Sequence, residues 1–233
     1  MIWHVDCLDL NTMPRKNLIR SDVFPYHITA RVNNKEAFPI LMSEMWTLTT
    51  SECYLVQLLY EVEIHALVLM PNHFHLLMTV PFEEFDLGKV MNRFMSDLTL
   101  HTHQKSGRSG RLFGKRYHWS LIQSSRYYGH ALKYVYRNPV KGGLCETVED
   151  YPFSTLHGLV GRTHLPFPIQ FTRAGLERDI PDPKDGWPWL DWLNRPFPNE
   201  VGPLLRKALK QKELRFLLDQ RTRRPESRLE DLL

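Results

Sequence analysis

Cys7, Cys53 and Cys145 are the only cysteines among 233 residues, and they lie far apart. An odd, scattered set excludes a disulfide scaffold and a cysteine-based zinc site, and fits reduced thiols in a cytoplasm. No run of about 18 apolar residues is present, so no membrane span is expected. Met1 to Asn11 carries Asp6 and Asp9 and lacks the apolar stretch of a signal peptide. No internal repeat occurs. Acidic residues are missing from one long segment: between His101 and Arg126 there is no Asp or Glu. That segment holds Lys105, Arg108, Arg111, Lys115, Arg116 and Arg126, pliable Gly107, Gly110 and Gly114, and interleaved Phe113, Tyr117 and Trp119. A run of cations is usually a solvated face. One without counter-charge, with glycines and aromatics, is better explained by a phosphate backbone and stackable bases. The net charge of +4 is compatible with such a partner without requiring it.

What is present centres on His65 to Val80, two apolar runs split by Pro71-Asn72, which reads as a strand hairpin. The second run opens His73-Phe74-His75. Residues i and i+2 of a strand share a face, so both imidazoles leave one side, and that side is expected to be exposed. Two imidazoles on a rigid strand need one more ligand to hold a metal. A second triplet, His101-Thr102-His103, falls late in a helical stretch, where i and i+2 diverge by about 200°. It reads as structural.

In chain order, Tyr26 to Val32 alternates as a strand and Leu41 to Val62 reads as a helix. Leu87, Val90, Met91, Phe94, Met95 and Leu98 mark an amphipathic helix. Tyr117 to Ile122 reads as a strand. Tyr127 to Asn138 reads as a helix ended by Pro139. On it Tyr128, Ala131, Leu132 and Val135 form a buried stripe with Tyr136 at its edge. Tyr127, His130, Tyr134 and Asn138 fall off that stripe, and Tyr134 and Asn138 are neighbours one turn apart. The order predicts an α+β fold, an antiparallel sheet with helices packed on one face. Three regions are expected: an arm over 1–23, a main domain over 24–160, and an extension over 161–233. The extension pairs a Trp/Pro-rich segment with a basic helix over Leu204 to Leu218, carrying Arg206, Lys207, Lys210, Lys212 and Arg215, and ends in a mobile tail over Arg221 to Leu233.

Three segments, Met70 to Leu77, Tyr134 to Val140 and Asp150 to Thr155, in that order, resemble the single-tyrosine HUH transposases, most closely the REP-associated tyrosine transposases. Tyr26 to Thr29 and Phe113 to Trp119 also fit. The resemblance implies a ferredoxin-like HUH endonuclease fold that cuts and rejoins single-stranded DNA beside hairpin-forming palindromes. It implies His73 and His75 as metal ligands, Asn138 as the third ligand, Mg²⁺ or Mn²⁺ as the ion, and Tyr134 as the nucleophile. DNA contacts are expected from Lys105, Arg108, Arg111, Lys115, Arg116, Tyr117 and Trp119. Other readings are a catalytically silent hairpin-binding protein of the same fold, a water-using metal nuclease, and a rolling-circle initiator or relaxase. The last often uses two tyrosines, and Tyr127 lies one heptad before Tyr134. Monomer or homodimer is left open.

Overall fold

The computed structural model of the chain describes residues 18–81, 86–170, 187–199 and 201–214. Most of the N-terminal arm and the tail over Arg221 to Leu233 lie outside the described residues. Four strands, β1 (Tyr26–Arg31), β2 (Glu63–Met70), β3 (His73–Thr79) and β4 (His118–Leu121), form one antiparallel sheet in the order β2-β3-β1-β4. The expected hairpin is β2 and β3, with Pro71-Asn72 as its two-residue turn. Proline has no backbone N–H to give a ladder, so it suits the turn and not the strand.

The helices are α1 (Met42–Tyr60), α2 (Leu87–Ser106), α3 (Ser125–Lys141), α4 (Thr155–Leu159), α5 (Trp187–Asn194) and α6 (Val201–Ala208). Asp86 and Ser124 cap α2 and α3 by accepting from the backbone N–H of Lys89 and Tyr127. The α+β antiparallel class is as expected, but the helices occupy both faces of the sheet. One core joins α1 and α2 to Ile28, Ala30, Phe74, Leu76 and Met78. A second joins α3, α5 and α6 to Ala66, Val68 and Leu77. The strands carry apolar side chains at both parities, and such a sheet must be covered twice. Among the described residues no helix is long and apolar enough to cross a membrane.

Two boundaries differ from expectation. Helix α3 runs through Pro139 to Lys141. Proline removes the hydrogen bond to the carbonyl of Val135, and the Asn138 amide nitrogen lies 3.5 Å from that oxygen and 2.7 Å from the carbonyl of Tyr134. The basic helix expected to reach Leu218 begins earlier and ends at Ala208. The chain beyond it joins the sheet instead. Leu121 N–H donates to Lys212 O, and Leu214 N–H donates to Leu121 O, both at 2.8 Å. Residues 212–214 thus cover the otherwise open edge of β4. Arg215 to Leu218 lie outside the described residues.

Candidate active site

His73 and His75 sit on β3 opposite Arg31 and Thr29 of β1, so His27, Thr29 and Arg31 share their face. The two rings are 5.0 Å apart between centres. The face is not exposed as expected: α3 covers it, and His75 is buried. Each imidazole is held at Nδ1. His73 Nδ1 lies 2.7 Å from Asn72 Oδ1, and His75 Nδ1 lies 3.0 Å from His27 Nε2. In the tautomers that donate Nδ1–H to these partners, Nε2 of both rings is left as a lone-pair atom, an arrangement that orients imidazoles toward a metal. Burial lowers the pKa of His73 to about 4, with Arg31 adding to the shift. Burial, then His27, His73 and Arg31, pushes His75 well below the histidine range. Both rings are therefore neutral near pH 7, the form that binds metal.

His27 was not a sequence candidate. Its pKa is lowered to about 3, mainly by burial and then by His118, and its ring stacks on His75 with centres 5.2 Å apart. Its partner is 48 residues away. Only the β1–β3 register reveals the pairing, and parity along one strand does not contain that register.

Helix α3 sorts its tyrosines as the stripe predicts. Tyr128 and Tyr136 are buried. Tyr128 Oη lies 3.0 Å from His65 Nδ1, and Tyr136 Oη lies 3.2 Å from Thr155 Oγ1. Tyr134 instead stands edge-on to His75 and His27, with ring centres 5.7 and 6.0 Å apart. Burial raises its pKa, while the positive charges of Arg206 and Arg31 oppose the rise. Asn138 donates its amide N–H to the carbonyl of Tyr134, which leaves Oδ1 as the atom with ligand chemistry. His130, placed off the stripe, is buried, because Phe197 after α5 packs on it.

Two imidazole nitrogens and an amide oxygen are a neutral donor set that fits a divalent ion and leaves its charge undiminished. Among the described residues no group of three or more His, Cys, Asp or Glu forms a metal cluster. The expected set contains only two residues of those types.

The basic segment divides. Lys105 and Arg108 are ion-paired to Glu44 and Glu36, at 3.1 and 3.6 Å, although the segment itself has no acid. Arg111, Lys115 and Arg116 are exposed. The aromatics belong to the core rather than to a stacking platform. Phe113 and Tyr117 are buried, and Trp119 packs on Tyr26. Phe113 anchors the loop: Gly114 N–H donates to Arg31 O at 3.1 Å, placing the loop beside the Arg31 end of the sheet.

No family model matches the chain. Over 104 residues it is 32% identical to the REP-associated tyrosine transposase of Escherichia coli (strain K12), covering 45% of this chain and 60% of that protein. Over 107 residues it is 29% identical to a putative REP-associated tyrosine transposase of Haemophilus influenzae, covering 42% and 61%. REP-associated tyrosine transposases are homologues of this chain. A solved structure of such a transposase bound to a REP hairpin superposes with a TM-score of 0.53 at 26% identity, covering 67% of this chain and 88% of that one. The HUH fold is therefore shared with these transposases, as the motifs imply. The chain spans about 60% of the length of the curated relatives it matches.

Proposed function

We propose that this chain cleaves and rejoins single-stranded DNA beside hairpin-forming repetitive palindromes, through a covalent 5′-phosphotyrosine on Tyr134. The observation that carries the reading is the approach of Tyr134 to His75, ring centres 5.7 Å apart, across the interface between α3 and β3. The homologous transposase seen with a REP hairpin supports the substrate class.

His73 Nε2, His75 Nε2 and Asn138 Oδ1 would hold a divalent ion, Mg²⁺ or Mn²⁺. When bound, that ion neutralises and orients the scissile phosphate. The rest is the work of the chain. Tyr134 Oη attacks phosphorus and its proton passes to solvent. The P–O3′ bond breaks, and the 3′ oxygen leaves and becomes a hydroxyl. The phosphotyrosine conserves the bond energy, so another 3′-OH can attack it, restoring a phosphodiester and the phenol. Burial favours the neutral phenol at rest. The neighbouring guanidinium groups stabilise the anion the attack needs.

Labelled single-stranded DNA with a hairpin, incubated with Mn²⁺, should give an adduct that survives denaturation with wild type and with Tyr127→Phe. Tyr134→Phe should give none while still binding the hairpin. An adduct persisting in Tyr134→Phe would overturn the assignment.

A further inference from the structure

Just after β1 the backbone turns through two consecutive left-handed residues that are not glycine. Asn34 and Lys35 have φ of 54° and 62°. That conformation costs free energy in any residue with a Cβ, and it persists only where neighbours over-determine it. The neighbours here belong to the turn between β2 and β3. Val32 N–H donates to Asn72 O, and Phe38 N–H donates to Pro71 O, both at 2.9 Å. From the same turn the side-chain amide of Asn72 donates through Nδ2 to the carbonyl of Lys35, also at 2.9 Å.

A backbone carbonyl can only accept, so this bond decides which end of the Asn72 amide is which. Nδ2 faces Lys35, and Oδ1 faces His73 Nδ1 at 2.7 Å. An amide oxygen can also only accept. His73 Nδ1 must therefore carry the proton, and Nε2 keeps its lone pair. The sense of the whole chain, from imidazole to amide to carbonyl, is dictated by the Lys35 end. His75 has no such anchor, because its partner is the His27 imidazole, and two imidazoles can donate in either sense. A histidine side chain in water favours the opposite tautomer, with the proton on Nε2. Left to itself, His73 would present an N–H where a metal needs a lone pair.

We propose that Asn72, anchored by the left-handed turn at Asn34 and Lys35, is a positioning residue that fixes the tautomer of His73 and readies its Nε2 for the divalent ion. The proposal rests on the reading of His73 as a metal ligand, and two measurements keep them apart.

The tautomer is read from the imidazole nitrogen resonances of the full, metal-free chain in chelator near neutral pH. Wild type should show His73 with its proton on Nδ1 alone. Asn72→Ala removes the acceptor and should move His73 toward the Nε2–H form. Asn72→Asp has only acceptor oxygens and should keep the proton on Nδ1. The resonances of His75 should be the same in all three proteins, as they would not be if the sheet were disturbed. A wild-type His73 protonated at Nε2, or the same tautomer in wild type and Asn72→Ala, would overturn the proposal. Mn²⁺ affinity of the DNA-free chain is then measured by calorimetry. It should fall by about 10- to 100-fold in Asn72→Ala and be largely kept in Asn72→Asp. Equal affinity in wild type and Asn72→Ala would overturn the link from tautomer to metal. Tautomers as expected in a wild type that binds no Mn²⁺ would mean that the metal reading has failed, while Asn72 still fixes His73.

Discussion

The two faces of the sheet share the same four strands and differ in almost everything else. Toward α1 and α2, β1 and β3 present Ile28, Ala30, Phe74, Leu76 and Met78, packed with Phe94 and Phe113. Toward α3 they present His27, Thr29, Arg31, His73 and His75. The first face gains stability from every residue it buries. The second buries imidazoles, which cost free energy unless neutral and partnered. The arrangement meets both conditions at Nδ1 of His73 and His75. It leaves His27 Nδ1 buried without a hydrogen-bond partner among the described residues, a cost an apolar face would not carry. Chemistry and cohesion are thus separated by strand parity.

That separation can be broken first at its extremes. Tyr134→Phe should remove all adduct formation and change unfolding free energy by no more than about 1 kcal/mol, the worth of one hydrogen bond. Phe74→Ala should do the reverse, costing about 3–5 kcal/mol in denaturant unfolding. Its hairpin affinity, measured where the variant is still folded, should be unchanged. A Phe74 variant that lost affinity while folded would show that the two faces are coupled.

How much of this was legible follows the same division. Period two placed His73 and His75 on one face, and a helical wheel separated Tyr134 from the buried Tyr128 and Tyr136. Local periodicity suffices for such statements. The second helical layer was not legible, because apolar residues at both parities become evidence only when a partner exists for each. Phe113 and Tyr117 were misread because aromatics interleaved with cations look alike whether they stack on bases or anchor a loop. Arg206 was legible as a cation in a basic segment. Its effect on the charge environment of Tyr134 depends on how α6 docks, which no short window of sequence contains.

The support behind the metal site should yield a smaller effect. His27→Ala removes the acceptor at His75 Nδ1 and frees that ring to rotate. Mn²⁺ affinity, measured by calorimetry on the DNA-free chain, should fall by about 10- to 100-fold. His27→Gln, with an oxygen that can accept, should recover part of the loss. Equal affinity in wild type and His27→Ala would mean that the ring is only packing.

Acid should weaken the α3 face more than the other. His65, buried between Thr79 and Tyr128, has its pKa lowered to about 3 by burial. Its folded value lies below its unfolded value of about 6.5, so protonation favours unfolding. The stability it contributes is complete above about pH 6.5 and is lost as pH falls toward about 3, by up to about 1.4 kcal/mol per pH unit. His65→Gln should flatten the acid limb of a stability–pH curve by that amount. An unchanged limb would mean that other groups carry the acid sensitivity.

The smallest effect concerns the basic loop at the rim of the α3 face, and it turns on which cations are already paired. Arg111 and Lys115 are exposed and have no ion pair among the described residues. Lys105 and Arg108 are exposed too, but each has a glutamate from the α1 side. Exposed pairs are worth at most about 1 kcal/mol, so they can open to reach a phosphate, at some loss. Each phosphate contact removed should lower the slope of log affinity against log salt by about 0.7–0.9. Neutralising Arg111 and Lys115 together should therefore flatten the slope by about twice that. Neutralising Lys105 and Arg108 should flatten it by less, because part of their charge is already answered by Glu44 and Glu36. Equal flattening by the two double variants would show that the glutamates release their partners freely. No flattening by either would move the DNA path off this loop and toward the exposed Lys207 and Lys210.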